Sequence, residues 1–216
     1  MKYLNPIFVA VSILVVSCNT NENNSENAED STVIGVVASA SPKSEIWVVD
    51  TKASEIVWKG TKPTGEHLGT IKMKEGSLSS EKNMITSGHF IIDMTSIKET
   101  TNSEKPKMQK KLVDDLKSDN FFNVHSYPVS TFVITELKGD TVFGNLTIKN
   151  ITHGIKFPAN IKIEGNNLNA LTGFEIDRTD WDINYHSGKR LKDKIADNII
   201  GDNIIYKVTL IAYKKQ

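Results

Sequence analysis

The side chains that could bind a metal ion include five histidines, and their spacing decides whether a metal site is expected. They are His67, His89, His125, His153 and His186. None of them forms an H-x-H or H-E-x-x-H pattern, and none has a cysteine partner. Because metal sites are recognised in a sequence by such short spacings, we predict no metal site and no cofactor.

A second group of ionisable residues, Asp177, Arg178 and Asp180, lies in one short segment. Adjacent strand residues point to opposite faces, so Asp177 pairs with Arg178 only if the chain bends there. No nucleophile or carboxylate partner suited to catalysis accompanies the group. We therefore predict a structural ion-pair cluster and no enzymatic activity.

Basic side chains follow at Lys189, Arg190, Lys192 and Lys194. Lysine and arginine at the mouth of a cavity could bind a phosphate or pyrophosphate group. Such residues are also typical of a solvated loop, and the sequence leaves both interpretations open.

The single cysteine of the chain, Cys18, follows Ser17 at the end of an apolar run, Ile7–Val16, which Lys2 precedes. This run is too short to remain in a bilayer as a spanning helix. The segment ending in Ser17 and Cys18 resembles the lipobox of bacterial lipoproteins. Residues 1–17 are thus predicted to be a signal peptide, and Cys18 the site of lipidation. A buried cysteine that happens to follow an apolar run is the alternative.

Residues 18–45 are predicted to be the lipidated cysteine and a disordered tether, because Asn, Ser and Glu dominate their composition. Asn19 follows the cysteine, where aspartate would retain many Gram-negative lipoproteins at the inner membrane. We expect a protein of the bacterial cell envelope, anchored to the membrane through Cys18 and more consistent with the outer membrane. The sequence leaves open whether it faces the periplasm or the cell surface.

The chain balances 26 basic residues against 26 acidic ones. Nucleic-acid binding requires a concentrated positive field, so no nucleic-acid partner is expected. A homodimer is left open.

Apolar and polar residues alternate with a period of two over most of residues 46–216, which predicts a single domain of long strands. The predicted strands are Glu55–Lys62, His67–Leu78, Thr86–Ile97, Val129–Leu137, Thr141–Lys149, Thr152–Ile163, Leu168–Ile183 and Ile204–Tyr213. About eight strands of this length are typical of an up-and-down antiparallel barrel. The fold class is therefore predicted to be all-β.

One helix interrupts the strands at Lys107–Lys117. Its apolar positions share one face and are Met108, Leu112, Val113 and Leu116. Phe121 and Phe122 follow it, and we predict that one ring closes the core while the other covers the barrel. The segment Lys189–Asn198 is predicted to be a second helix or an ordered loop.

Five blocks of residues follow one another along the chain. The blocks are Trp58 with His67, Gly69 and Gly76; Gly88–Phe90 continuing to Asp93–Ile97; Leu116–Phe122 with Tyr127, Pro128 and Phe132; Gly144–Ile148 with Ile151 and Thr152; and Phe174 with Ile176–Thr179 and Trp181. In this order they resemble the YceI-like family of bacterial lipid-binding proteins. The resemblance implies an extended eight-stranded, lipocalin-like barrel with a helix beside it. It also implies a long polyisoprenoid or similar lipid in the interior.

The ligand-binding residues are predicted to lie on the apolar face of the strands. They are Trp58, His67, Ile71, Met73, Phe90, Ile92, Met94, Phe132, Ile134, Leu146, Ile148, Phe157, Ile161, Phe174 and Ile176. Each could instead be a core residue that never contacts ligand, and His67 could hydrogen-bond a buried carbonyl.

Two functions are consistent with these observations. The first is an envelope lipoprotein that binds an isoprenoid-type lipid for carriage, storage or stress protection. The second is a membrane-tethered interaction module that uses the barrel as a scaffold without a specific ligand.

Overall fold

The computed structural model describes residues 44–102, 104–189 and 199–216, all within the compact unit Ala40–Gln216. Cys18, the predicted signal peptide and almost all of the predicted tether lie outside the described residues. So does most of the segment Lys189–Asn198, including Arg190, Lys192 and Lys194.

The described residues form nine strands, one α-helix and one short 3-10 helix. In chain order the elements are β1 Glu45–Val49, β2 Glu55–Lys62, β3 Gly65–Glu81, β4 Met84–Glu99, α1 Pro106–Lys117, β5 Val129–Lys138, β6 Thr141–Ile148, β7 Ile151–Glu164, β8 Asn167–Asp177, the 3-10 helix Arg178–Trp181 and β9 Asn203–Lys214.

The strands close into an antiparallel barrel with eight positions. Each strand from β2 to β9 pairs with the next one along the chain, and β9 returns to pair with β2. The short strand β1 also pairs with both β3 and β9, so β1 and β2 occupy one position. The turn between them is fixed by Asp50, whose carboxylate accepts the backbone N–H groups of Lys52 and Ala53. This confirms the predicted eight-stranded, all-β barrel.

The two ends of the barrel differ. At one end, here called the hairpin end, lie the tight turns that join β3 to β4, β5 to β6 and β7 to β8. Trp47, Leu168 and Ala212 are fully buried near this end, and Trp47 donates a 2.8 Å hydrogen bond to Ser80 Oγ. At the other, here called the helix end, lie α1 and the segment that follows β8.

A bulge in β4 changes which of its residues face inward. Asp93 Oδ1 accepts the N–H of Thr95 at 2.9 Å, and Ser96 Oγ accepts the N–H of Lys72 at 2.8 Å. The register between β3 and β4 slips at this point. Strict alternation from Met94 would bury Ser96 and Lys98, whereas the bulge buries Ile97 and Glu99 instead.

Two sequence predictions about the elements are wrong in detail. The strand predicted over Leu168–Ile183 ends at Asp177, because the Asp177 carboxylate accepts the N–H of Thr179 and begins the 3-10 helix. The helix is confirmed, but Met108 is 56% exposed and does not share the buried face of Leu116.

Candidate functional site

A cavity of about 340 Å³ occupies the inside of the barrel. Side chains from β2 to β9 line its wall, and Leu112 and Leu116 of α1 line it at the helix end. Its exposed lining residues are Thr61, Lys62 and Tyr185, which all lie at the helix end and mark its mouth. The volume is within the range of about 300–1,000 Å³ that is common for small-molecule sites.

Fourteen of the fifteen ligand-binding residues predicted from the sequence line this cavity. They are Trp58, His67, Ile71, Met73, Phe90, Ile92, Met94, Phe132, Ile134, Leu146, Ile148, Phe157, Ile161 and Phe174. Ile176 is buried but is not among the lining residues described. Contact of any of these side chains with a lipid stays a prediction.

Strand β9 contributes lining residues that the sequence analysis missed. Ile204, Tyr206, Val208 and Leu210 all face the cavity, at the alternating positions expected of a strand. The same alternation that selected residues on the other strands could have found them.

A row of aromatic rings runs around the cavity wall. Adjacent ring centroids are 6.2 Å apart for Phe90 and Phe132, 5.4 Å for Phe132 and Phe157, 4.5 Å for Phe157 and Phe174, and 5.5 Å for Phe174 and Tyr206. These separations are typical of favourable aromatic contacts. The wall is therefore apolar and well packed over much of its circumference.

Two glycines give the aromatic side chains the space that they occupy. A Cβ atom on Gly144 would lie 2.4 Å from Cζ of Phe132, and one on Gly69 would lie 2.4 Å from Cζ2 of Trp58. Both distances are shorter than any real contact of a Cβ atom. Phe132 thus reaches across β6 to Phe157 because Gly144 has no side chain.

The helix end is covered by the residues after α1. Phe121 and Phe122 are buried, and both line the cavity. The ring of Phe121 lies 5.6 Å from that of Tyr185 and 5.6 Å from the guanidinium carbon of Arg178. The prediction that one of these phenylalanines covers the barrel therefore agrees with their position, although their separate roles stay a prediction.

Arg178 organises the chain around this cover. Its side chain is 1% exposed and donates hydrogen bonds to the carbonyl oxygens of Ile183, Ile200 and Gly201, at 2.5, 3.1 and 3.0 Å. Burial lowers the pKa of Arg178, and the nearby carboxylate of Asp202, 3.4 Å away, opposes that shift. Because its donors hold three backbone carbonyls, Arg178 has a structural role at the helix end.

Asp177 pairs with Lys189 rather than with its neighbour Arg178. Burial works to raise the pKa of Asp177, but hydrogen bonds from Lys189 and Thr179 lower it below the usual value. Lys189, one of the residues considered for a phosphate site, is thus engaged with a carboxylate.

Glu99 is a buried carboxylate beside the cavity that the sequence analysis did not identify. Its side chain is fully buried and accepts hydrogen bonds from the backbone N–H and the side-chain amide of Asn102, each at 3.0 Å. Nδ1 of His67 lies 3.5 Å from Glu99 Oε1. His67, which lines the cavity, is therefore backed by a carboxylate.

Comparison with known proteins identifies the family. Residues 47–209 match the model of the YceI-like domain. The chain belongs to the YceI-like domain family. It is 30% identical over 103 residues to a UPF0312 protein of Yersinia enterocolitica, a match that covers 45% of this chain. The chain spans about half the length of that curated relative, 50% of it.

Solved structures share the fold. BcnA of Burkholderia cenocepacia superposes with a TM-score of 0.59 at 22% identity, covering 76% of this chain and 98% of BcnA. A polyisoprenoid binding domain from Saccharophagus degradans, implicated in plant cell wall breakdown, has a TM-score of 0.54 at 15% identity. That match covers 78% of this chain and 98% of the domain.

Two features are absent from the described residues. No helix among them is long and apolar enough to cross a membrane. No cluster of three or more His, Cys, Asp or Glu within the described ranges is placed to hold a metal ion.

Proposed function

We propose that this YceI-like protein binds a long apolar lipid of the isoprenoid type inside its barrel and holds it in the bacterial cell envelope. The observation that carries the proposal is the internal cavity, which is walled by aromatic and aliphatic side chains and opens at the helix end. Its charged lining residues, among those described, are Lys62, Asp115 and Arg178, all at that end. The deeper part of the cavity thus suits an apolar chain, and the mouth suits a more polar group.

The energetics of an apolar chain support this proposal. Withdrawing a tail of about twenty carbon atoms from water is worth about 16 kcal/mol, at about 0.8 kcal/mol for each CH₂-sized group. Association costs about 4–15 kcal/mol in lost freedom. A tail of that size therefore leaves a net gain over all of that range without any polar contact. The structurally similar domain from Saccharophagus degradans is described as a polyisoprenoid binding domain, which is consistent with such a ligand.

A cavity-filling variant tests the proposal. Ala170 faces the cavity from β8, and the neighbouring residue Leu171 faces outward and is 60% exposed. We expect a C20 isoprenoid to raise the midpoint of thermal unfolding of the wild-type protein as its concentration rises. Ala170→Trp should abolish that shift because its ring fills the cavity, whereas Leu171→Trp should retain it.

Two outcomes would count against lipid binding. The wild-type protein would show no concentration-dependent shift, or Ala170→Trp would bind as well as Leu171→Trp. Either result would favour the alternative in which the barrel is only a scaffold for interactions at the membrane.

Membrane attachment through Cys18 is part of the same proposal and has its own test. Cys18→Ser removes the sulfur that would carry the lipid, so the protein should move from the membrane fraction to the soluble fraction. A variant that remains membrane-bound would contradict anchoring at this residue.

A further inference from the structure

The outer side of α1 carries three lysines, Lys107, Lys110 and Lys111, here called the basic face of α1. All three are exposed. Their spacing of three and four residues places them on one side of the helix, opposite Leu116, which is buried and lines the cavity. The basic face is therefore turned away from the barrel interior at the helix end.

Two kinds of contact hold α1 in this orientation. Gln109 Nε2 donates a 2.6 Å hydrogen bond to the carbonyl oxygen of Glu99, the last residue of β4. Leu112 and Leu116 lie over the cavity and line it. The basic face thus keeps a fixed direction relative to the mouth of the cavity.

Acidic residues of the protein neutralise the basic face only in part. Asp114 lies on the same side of the helix and pairs with Lys110 at 2.5 Å. Lys107 and Lys111 form no ion pair with any described residue. Two exposed positive charges are therefore available to an external anion.

The start of α1 is not optimised for the stability of the helix. Its N-cap residue, Lys105, makes no side-chain capping hydrogen bond, and its first turn contains Lys107 but no acidic residue. Glu104 precedes the helix, and Lys105 offsets its charge. Positive charge at a helix N-terminus opposes the helix dipole, and an uncapped start costs stability. Contact with an anionic partner would account for lysines in these positions.

An exposed apolar side chain lies between the basic face and the mouth of the cavity. Met108 is 56% exposed and is adjacent in sequence to Lys107. Met108, Leu112 and Asp115 are four and three residues apart, so they share one side of the helix, and Leu112 and Asp115 line the cavity. An apolar residue flanked by lysines is typical of surfaces that insert shallowly among the head groups of anionic phospholipids.

We propose that the basic face of α1 and Met108 dock on the surface of an anionic phospholipid bilayer, with the mouth of the cavity beside the contact. This inference rests on the proposed function, because it describes how the barrel reaches a lipid that resides in a bilayer. An isoprenoid that left the bilayer through water would expose its whole apolar chain, whereas a docked mouth lets the chain pass directly into the cavity.

Vesicle binding without the lipid anchor tests the docking surface. The parent protein is the chain from residue 18 onward carrying Cys18→Ser, so that no attached lipid contributes. It would be sedimented with vesicles of phosphatidylcholine alone and with vesicles that also contain phosphatidylglycerol, at low and at high salt. The parent protein should bind the anionic vesicles more tightly, and salt should reduce that preference because it screens exposed charges.

A pair of lysine substitutions locates the contact. Lys107→Gln combined with Lys111→Gln should weaken binding to the anionic vesicles by about 10- to 30-fold and leave binding to phosphatidylcholine unchanged. Lys162→Gln combined with Lys215→Gln is the matched control. These two lysines are also exposed and form no ion pair with any described residue, but they lie at the hairpin end. The control should bind as the parent protein does.

A pair of methionine substitutions tests the apolar part of the contact. Met108→Ser should weaken binding to the anionic vesicles by about 3- to 10-fold, because less apolar surface leaves water. Met84→Ser is the control, since Met84 is 65% exposed and lies at the β3–β4 turn of the hairpin end. It should leave binding unchanged.

Three results would overturn the docking surface. The parent protein would bind both kinds of vesicle equally, the two lysine pairs would cause equal losses, or Met108→Ser would behave as Met84→Ser does. Binding to neither kind of vesicle would also overturn it, and would leave an acidic protein surface as the partner of α1.

Failure of the docking surface is distinguishable from failure of the proposed function. Geranylgeraniol added without vesicles should raise the midpoint of thermal unfolding of the parent protein. If the midpoint rises but the lysine pairs behave alike on vesicles, only the docking surface is refuted. If the midpoint does not rise and the vesicle results are as expected, the docking surface stands and lipid binding in the cavity is refuted.

Discussion

A single methyl group added at Gly144 tests how tightly the cavity wall is packed. The new Cβ atom of Gly144→Ala would lie 2.4 Å from Cζ of Phe132 and 2.6 Å from the carbonyl oxygen of Val133. Phe132 cannot move sideways freely, because its ring contacts Phe90 on one side and Phe157 on the other. The ring or the backbone of β5 must shift.

Overpacking of this kind costs about 1–3 kcal/mol of unfolding free energy. For a domain of this size each kcal/mol lowers the unfolding midpoint by about 2–4 °C, so Gly144→Ala should lower it by roughly 2–12 °C. If the ring moves into the cavity, isoprenoid binding should weaken as well.

Gly154 provides the control on the neighbouring strand β7. A Cβ atom there would meet only Asn145 Oδ1, at an ordinary distance of 3.9 Å, and the backbone is not in the left-handed region. Gly154→Ala should leave the free energy of unfolding unchanged or raise it by about 0.4–1 kcal/mol, because alanine reduces the conformational entropy of the unfolded chain. Thermal and urea unfolding would measure both variants, and equal stabilities for Gly144→Ala and Gly154→Ala would refute the packing described for the aromatic row.

Three further predictions concern the helix end. Arg178→Met should destabilise the protein by about 3 kcal/mol or more in urea unfolding, because three buried carbonyls lose their donor; a loss below about 1 kcal/mol would contradict its structural role. The lowered pKa of Asp177 means that its pairing with Lys189 stabilises the fold at pH above about 4, and that this stability is lost as the pH falls through the lowered value. Asp177→Asn should therefore flatten the acid limb of a stability–pH curve, and an unchanged acid limb would refute the assignment. Phe121→Ala should lower the free energy of unfolding more than Phe122→Ala does, because the ring of Phe121 contacts Arg178. Phe122→Ala should mainly speed the release of bound lipid. Equal effects of the two variants on unfolding and on lipid release would contradict separate roles.

Most of the barrel was predictable because its inner face is apolar over long stretches. The bounds of β2, Glu55–Lys62, are those predicted from Ile56 and Trp58 on one face of the strand and Glu55 and Lys59 on the other. The same reasoning placed nearly all of the predicted ligand-binding residues on the cavity wall. Period-two alternation fixes the buried face wherever the strand continues without interruption.

The predicted strand bounds and buried faces were wrong where the hydrogen bonds of a side chain interrupt the pairing between strands. Trp181 and Ile183 are apolar and buried, so the predicted strand was extended to include them, but they lie out of phase with Phe174 and Ile176 because the Asp177 cap ends the strand. In β4 the Asp93 and Ser96 hydrogen bonds shift the phase and bury Glu99, a residue that a simple alternation would place outside. Local hydrogen bonds of Asp and Ser compete with strand pairing, and a prediction that assumes one uninterrupted alternation does not account for them.

The central claim, that the cavity holds an isoprenoid-type lipid, is tested most directly by purifying the protein from its own membranes and identifying what it carries. Native mass spectrometry should show a mass above that of the lipidated chain, and organic extraction should release an apolar lipid of the isoprenoid type. The same extraction from Ala170→Trp should release little or none. A wild-type protein that carries no lipid, and that binds no added isoprenoid, would contradict the account.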